Sequence, residues 1–482
     1  MPKEAKTEIR VRLAPSPTGF LHIGTARAGL FNYLFAKKNK GKFILRIEDT
    51  DQERSKPEYE ADIIEGLQWL GIKWDEGPFR QSDRPEIYRR YLEKLLNDGH
   101  AYYCFCAQEE LEAMKQEQMS RGEAPRYNGK CANLSNQETK KRLADGETSV
   151  VRFRAAKKKI SFTDLIRGEV EFDSSLFGDF VIAKDLNSPL YNFAVIIDDY
   201  EMRISHVIRG EDHISNTPKQ ILIQEILGFS QPQYAHLPLI LGPDRSKLSK
   251  RHGATSLLEY RKQGYLSEAL VNFMAFLGWN PGTDQEIFSM TDLIRDFSLD
   301  KVQKAGAIFN IQKLDYLNGA YIREKTLDEL LELALPYLSR AELIREGWPN
   351  REKLKEILAL YHERLKKLSE LPELIGFFFK KKLDYPKELL IWKGMTDQEL
   401  KLSLNTLEET LSAVKENNFT KGNLEKILMK ITEKAKDRGG LLWPLRVALT
   451  GQKASAGPFD VAAVLGKEKT LERIREAKLI AQ

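Results

Sequence analysis

Two stretches far apart in the chain carry residue types suited to holding a polyanion. In "SPTGFLHIGTARAG", residues 16–29, proline and glycine break a strand-like run and a helix follows at once. A helix start leaves unpaired N–H groups and the positive end of its dipole facing the preceding loop, which is an anion site in waiting. Thr25 or Gly24 is expected to cap that helix. Gly24 has no side chain to keep a flat group off the backbone, and His22 adds a donor aimed at the same place. The second stretch is "GPDRSKLSKRHGA", residues 242–254, where glycine and proline bracket four basic residues, Lys247 and Lys250 among them. A loop this polar belongs on the surface, and its lysines suit charge that appears transiently, as on a departing phosphate. Taken singly, each stretch also reads as an ordinary βα turn or a solvated basic loop.

These residues need a scaffold, and the chain supplies one. "EIRVRLAP" and "KFILRIED" alternate like strands, with the helical "TARAGLFNYLFAKKN" between them and "PEYEADIIEGLQWLG" after them. Strand–helix–strand order predicts a parallel α/β sheet. "NFAVIIDDYEMRISHVIRGEDH" reads as strand-rich, followed by the helix "TPKQILIQEILG" and the strand-like "AHLPLILGPD". About 110 residues of different character separate the two α/β blocks, which predicts one nucleotide-type sheet interrupted by an insertion. Beyond residue 325 the apolar residues recur with helical period and no strand run appears, so the C-terminal third is expected to be all-helical.

Composition bounds the rest. The chain has 482 residues, 42% apolar and 30% charged, with a net charge of +5, which describes a globular protein of several domains. Its start has no apolar core of a signal peptide, and its longest apolar runs are too short for a bilayer. Three cysteines argue against a disulfide framework and for a reducing compartment, so a cytoplasmic protein without a membrane is expected. Residues 351–382 hold nine Lys/Arg against five Asp/Glu, a basic helical surface that suits phosphates or, more plainly, solvent.

Taken together, "His22-Ile23-Gly24-Thr25" and "Lys247-Leu248-Ser249-Lys250-Arg251", 225 positions apart from His22 to Lys247, resemble the paired signatures of class I aminoacyl-tRNA synthetases. "RIEDTD" (46–51), "LYNFAVIIDD" (190–199) and "GEDHISNTP" (210–218) narrow the resemblance to the glutamyl-tRNA synthetases of bacterial type, over residues 10–320 and again at "PLRVALTG". The resemblance implies ATP-dependent activation of L-glutamate, with Mg²⁺, and its transfer to tRNA-Glu. It implies a Rossmann-type catalytic domain in two halves (1–82 and 195–255), an inserted acceptor-end-binding domain (83–194), a stem-contact domain (256–324) and a helical anticodon-binding domain (325–482). It assigns Arg12, Ala14, Ser16, Glu48, Tyr191 and Arg209 to glutamate. It assigns Ser16, His22, Gly24, Thr25, Asp212 and Lys250 to ATP, with His22, Lys247 and Lys250 stabilising the reacting phosphates. Arg364 falls where discriminating members read the last anticodon base, and members of this type are usually monomers.

Within the insertion, Cys104, Cys106 and Cys131 match the cysteines of a zinc site found in relatives, but Asn133 stands where their histidine would. Tyr127 could supply a fourth ligand; the competing reading is a lapsed site whose cysteines are merely packed. Three functional alternatives stay open on this sequence: an enzyme that also charges tRNA-Gln, a tRNA-modifying glutamyl transferase, and a non-catalytic tRNA-binding protein. The long helical tail counts against the second, and retention of His22, Lys250 and Glu48 counts against the third.

Overall fold

The computed structural model describes residues 8–249, 256–344, 349–432 and 437–482. It falls into two compact units, one running to Arg261 and including Ser267–Leu314, the other made of Lys262–Leu266 and Asp315–Gln482.

In the first unit, β1 (Arg10–Leu13), β2 (Lys42–Ile47) and β3 (Glu76–Arg80) pair in parallel. The helix Ile23–Lys38 carries the chain from β1 to β2. Gly29 lets that helix lie close on the sheet, since a Cβ there would come 2.9 Å from Leu13. The insertion contributes an antiparallel sheet of β4 (Ala101–Cys104), β5 (Val150–Phe153) and β8 (Phe180–Ala183). It also contributes the hairpin β6 (Lys159–Asp164) and β7 (Gly168–Asp173). β9 (His206–Gly210) and β10 (Gln233–Leu237) resume the parallel sheet, and β6 joins the far edge of β10.

The expected single sheet therefore appears as two hydrogen-bonded pieces. They meet where the Ser205 N–H donates to the Arg10 carbonyl at 2.9 Å and the Arg10 N–H donates to Ser205 Oγ at 2.8 Å. One core, including Ile44, Tyr88, Leu92, Phe153, Phe193, Val207 and Ile221, runs continuously from the sheet into the insertion.

One expected element is overturned. The run from Tyr191 to Glu201 is a helix, not a strand, and the strand begins only at His206. Phe193 to Asp199 are all buried, so the segment shows no polar face, and its apolar run gives no period by which to tell helix from strand.

The second unit is helical, with no strand among its described residues. Thr326 and Thr396 start two of its helices with reciprocal capping boxes to Glu329 and Glu399. The basic segment 351–382 is less regular than expected. Its helix stops at Ala359, and the chain turns so that Tyr361 and Leu365 are both buried while Arg364 is exposed. No described helix is long and apolar enough to cross a membrane.

Candidate functional site

The parallel strands end at a cleft of about 920 Å³, where residues leave β1, β2, β9 and β10 at their C-terminal ends. Arg12, Ala14, Ser16, His22, Gly24, Thr25, Glu48, Tyr191, Arg209, Asp212 and Lys247 all line it. Every described residue expected at the site thus lies in one cavity. Lys250, the remaining one, lies outside the described residues.

The cap of the first helix differs from expectation. His22, not Thr25 or Gly24, is the N-cap, and its Nδ1 accepts the Gly24 N–H at 3.0 Å. An accepting Nδ1 puts the proton of the neutral ring on Nε2. Burial, and then the charge of Lys247, hold the His22 pKa below its ordinary value, so near neutral pH the ring is an uncharged Nε2–H donor. The same imidazole therefore fixes the helix start and keeps one donor for a ligand.

The basic loop is held at both described ends, the far one against this turn. Leu248 donates to the Ile240 carbonyl at 2.9 Å, and Lys247 bridges Leu241. On the far side Ser256 bridges His22, and Leu257 donates to the Leu21 carbonyl at 2.9 Å. Lys247 Nζ reaches Asp212 at 3.1 Å. Against the burial that would raise it, this contact helps hold the Asp212 carboxyl below its usual value.

Beneath the cleft lies a buried charge array. Arg12 donates through Nε and Nη2 to the two oxygens of Asp199, at 3.0 and 3.3 Å. Arg46 donates to Asp199 at 2.8 Å and to Glu48 at 3.0 Å. Asp198 accepts from Gln81, Arg84 and Tyr88, each at 2.8 Å. Three guanidiniums thus face three carboxylates. Burial raises the Glu48 pKa, opposed by Arg46 and Arg12; Asp199 is instead held low by those two arginines despite its burial.

Arg209 stands apart. It is 7% exposed, and its partners are all neutral: His236 at 3.1 Å, Thr217 and Gln220 at 2.9 Å, and Tyr191 at 3.5 Å. Among the described residues no carboxylate pairs with it. His213, whose Nδ1 lies 3.0 Å from the Tyr191 hydroxyl, feels that charge: burial first, then Arg209, push its pKa down to about 4. A buried guanidinium without a counter-charge is costly unless a ligand supplies one. Sequence reasoning did not assign His213, Asn192 or Lys184, which also line the cleft, although His213 lies inside the quoted "GEDHISNTP".

In the insertion, Cys104, Cys106 and Cys131 come together, their sulfurs all within 4.8 Å. Tyr127 Oη lies 3.5 Å from Cys104 Sγ and 3.4 Å from Cys106 Sγ, and Cys106 and Cys131 are 3.7 Å apart. Tetrahedral zinc with Zn–S near 2.3 Å sets its sulfurs about 3.8 Å apart, so this donor set fits. Asn133 is exposed. In the second unit, Arg364 is exposed and its Nη1 donates to the Ser455 carbonyl at 3.4 Å.

Residues 8–316 match the family model for the catalytic domain of the tRNA synthetases class I (E and Q), and residues 329–478 match that of an anticodon binding domain. The chain is 47% identical to a glutamate–tRNA ligase of Thermoanaerobacter pseudethanolicus, covering 98% of each chain. It is 47% identical to that of Carboxydothermus hydrogenoformans, over 97% of this chain and 99% of the other. A crystal structure of a glutamate tRNA ligase from Elizabethkingia meningosepticum, in complex with its amino acid, superimposes with a TM-score of 0.87. That pair is 34% identical and spans 98% of this chain and 100% of the other.

Proposed function

Because this chain belongs to the class I tRNA synthetases (E and Q), with a catalytic and an anticodon-binding part, we propose that it is the ligase joining L-glutamate to tRNA-Glu. The observation that carries the amino acid assignment is Arg209. Beyond the three arginines that face carboxylates, Arg209 presents to the cleft a buried guanidinium held only by neutral side chains, which suits an anionic side chain and not a neutral amide.

The chemistry needs no protein nucleophile. The α-carboxylate of glutamate attacks the α-phosphorus of ATP, the bond to the bridging oxygen breaks, and pyrophosphate leaves. The terminal ribose hydroxyl of tRNA then attacks the adenylate carbonyl and AMP leaves. Alignment and charge stabilisation do the work. In this reading Arg209 and the open edge of Arg12 take the side-chain carboxylate, and Glu48 faces the ammonium. The His22 Nε2–H meets the phosphates, Gly24 admits the adenosine, and Lys247 and Lys250 follow the departing pyrophosphate, with Mg²⁺ on the ATP. Residues 83–194 hold the acceptor end, 256–324 the stem and 325–482 the anticodon arm, in a cytoplasmic monomer. Charging purified tRNA-Glu and tRNA-Gln separately with labelled glutamate tests the assignment. Tight, ATP-dependent charging of tRNA-Glu supports it; none on either tRNA overturns it.

Two further outcomes belong to this reading. We take the three cysteines and Tyr127 to hold a structural zinc ion, which would brace the insertion and take no part in the reaction. Purified protein is expected to carry about one zinc per chain, and Cys131→Ser is expected to lose it and lower the melting temperature. Stoichiometric absence of zinc from protein purified without chelators contradicts this. Arg364→Gly is expected to improve charging of tRNA-Gln roughly 10-fold, as for one lost base-reading contact of about 1–3 kcal/mol; unchanged discrimination removes Arg364 from that role.

A further inference from the structure

The helix Tyr191–Glu201 carries more of the site than its cleft-lining residues, Tyr191 and Asn192, suggest. Tyr191, its first residue, lines the cleft and accepts from Arg209. Two turns later come Asp198 and Asp199, neither of which lines the cleft. Consecutive residues on a helix point about 100° apart, so these two carboxylates take largely different partners, sharing only Arg46, which lies 2.8 Å from Asp199 and 3.7 Å from Asp198. Asp199 grips Arg12 of β1 by two hydrogen bonds and Arg46 of β2 by a third. Asp198, fully buried, takes Gln81 just before the insertion and Arg84 and Tyr88 at its start.

We propose that Asp199 is a positioning residue for glutamate recognition, fixing the Arg12 guanidinium so that its remaining edge faces the amino acid. The proposal rests on the assignment of Arg12 to glutamate made above. An arginine side chain is long and rich in rotamers, and holding one in place on binding consumes affinity. Here that ordering is done before substrate arrives, because Nε and Nη2 are already committed and Nη1 remains as donor. Arg46 has a related consequence. It shares Asp199 with Arg12 and holds Glu48, so the carboxylate that stands between the two arginines also sets the acid expected to face the ammonium. Asp198 anchors the same helix through an adjacent face, which keeps Tyr191 and Asp199 in fixed register with each other. A pure stability role is the competing account, and buried ion pairs make weak stabilisers in general. The two accounts differ in what they do to individual substrates.

Asp199→Asn keeps the shape and one acceptor oxygen but loses the charge that holds two arginines. Its KM for glutamate is expected to rise roughly 5–10-fold, the size of ordering one rotamer-rich side chain at binding, with kcat and the KM for ATP close to wild type. Should Asp199→Asn fail to fold, Asp199→Glu keeps the charge and moves the oxygens by one methylene. It is expected to melt near wild type and still show a raised KM for glutamate. A KM for glutamate within twofold of wild type in the folded variant overturns the proposal, and so does a parallel rise in the KM for ATP. Wild-type protein that charges no tRNA with glutamate instead overturns the enzyme assignment itself, so the two failures are distinguishable.

Discussion

Arg209→Gln is expected to lower kcat/KM for glutamate by roughly 10²–10³-fold, the range seen when a fully desolvated, hydrogen-bonded charge loses its partner. Stability should change little. The substitution removes hydrogen bonds to Thr217, Gln220 and His236 but also removes a buried charge that no carboxylate contacts directly, Asp164 reaching it only through the His236 ring. The glutamine side chain retains polar atoms for some of the same partners. Discrimination between glutamate and glutamine should narrow as well, since the guanidinium assigned to the side-chain carboxylate is gone. Pyrophosphate exchange with each amino acid, alongside thermal melting, reads all three quantities. A variant that loses activity only in proportion to lost folded protein would assign Arg209 to structure alone.

His22→Ala is expected to slow adenylate formation by roughly 10²–10³-fold, the usual cost of removing one donor aimed at transition-state charge. It should also destabilise the fold by about 1 kcal/mol, because the side chain caps the helix Ile23–Lys38. The two effects are separable. His22→Asn restores an N-cap acceptor and should recover the stability, but its shorter side chain carries no group at the Nε2 position and the rate should stay low. Single-turnover formation of adenylate and a thermal melt for both variants make the comparison. Recovery of the rate by asparagine would show that the cap, not the donor, mattered.

Much of the site was legible in the sequence because it sits where short-range rules apply. Arg12 lies in the last pleat of β1, Ser16 and Glu48 follow β1 and β2, and Gly24 opens a helix, so short motifs carry them and the family resemblance groups them. The helix Tyr191–Glu201 was not legible, since burial on every side erases the period that separates helix from strand. The "DD" inside "FAVIIDD" was the available signal, because adjacent acids in an apolar run require buried partners. Their identity could not be read: Arg12 and Asp199 are 187 residues apart. The uncompensated charge of Arg209 is likewise a sum over groups from several strands and helices, and no single stretch of sequence states it. The turn after Ala359 follows from the simultaneous burial of Tyr361 and Leu365, a tertiary demand that a regular apolar period does not announce.

The Arg209 guanidinium makes a sharp demand on the amino acid, and ATP–pyrophosphate exchange in the presence of purified tRNA-Glu tests it most directly, run side by side with glutamate and with glutamine. The account predicts rapid exchange with glutamate and none above background with glutamine at equal concentration. Equal exchange with the two amino acids would contradict it.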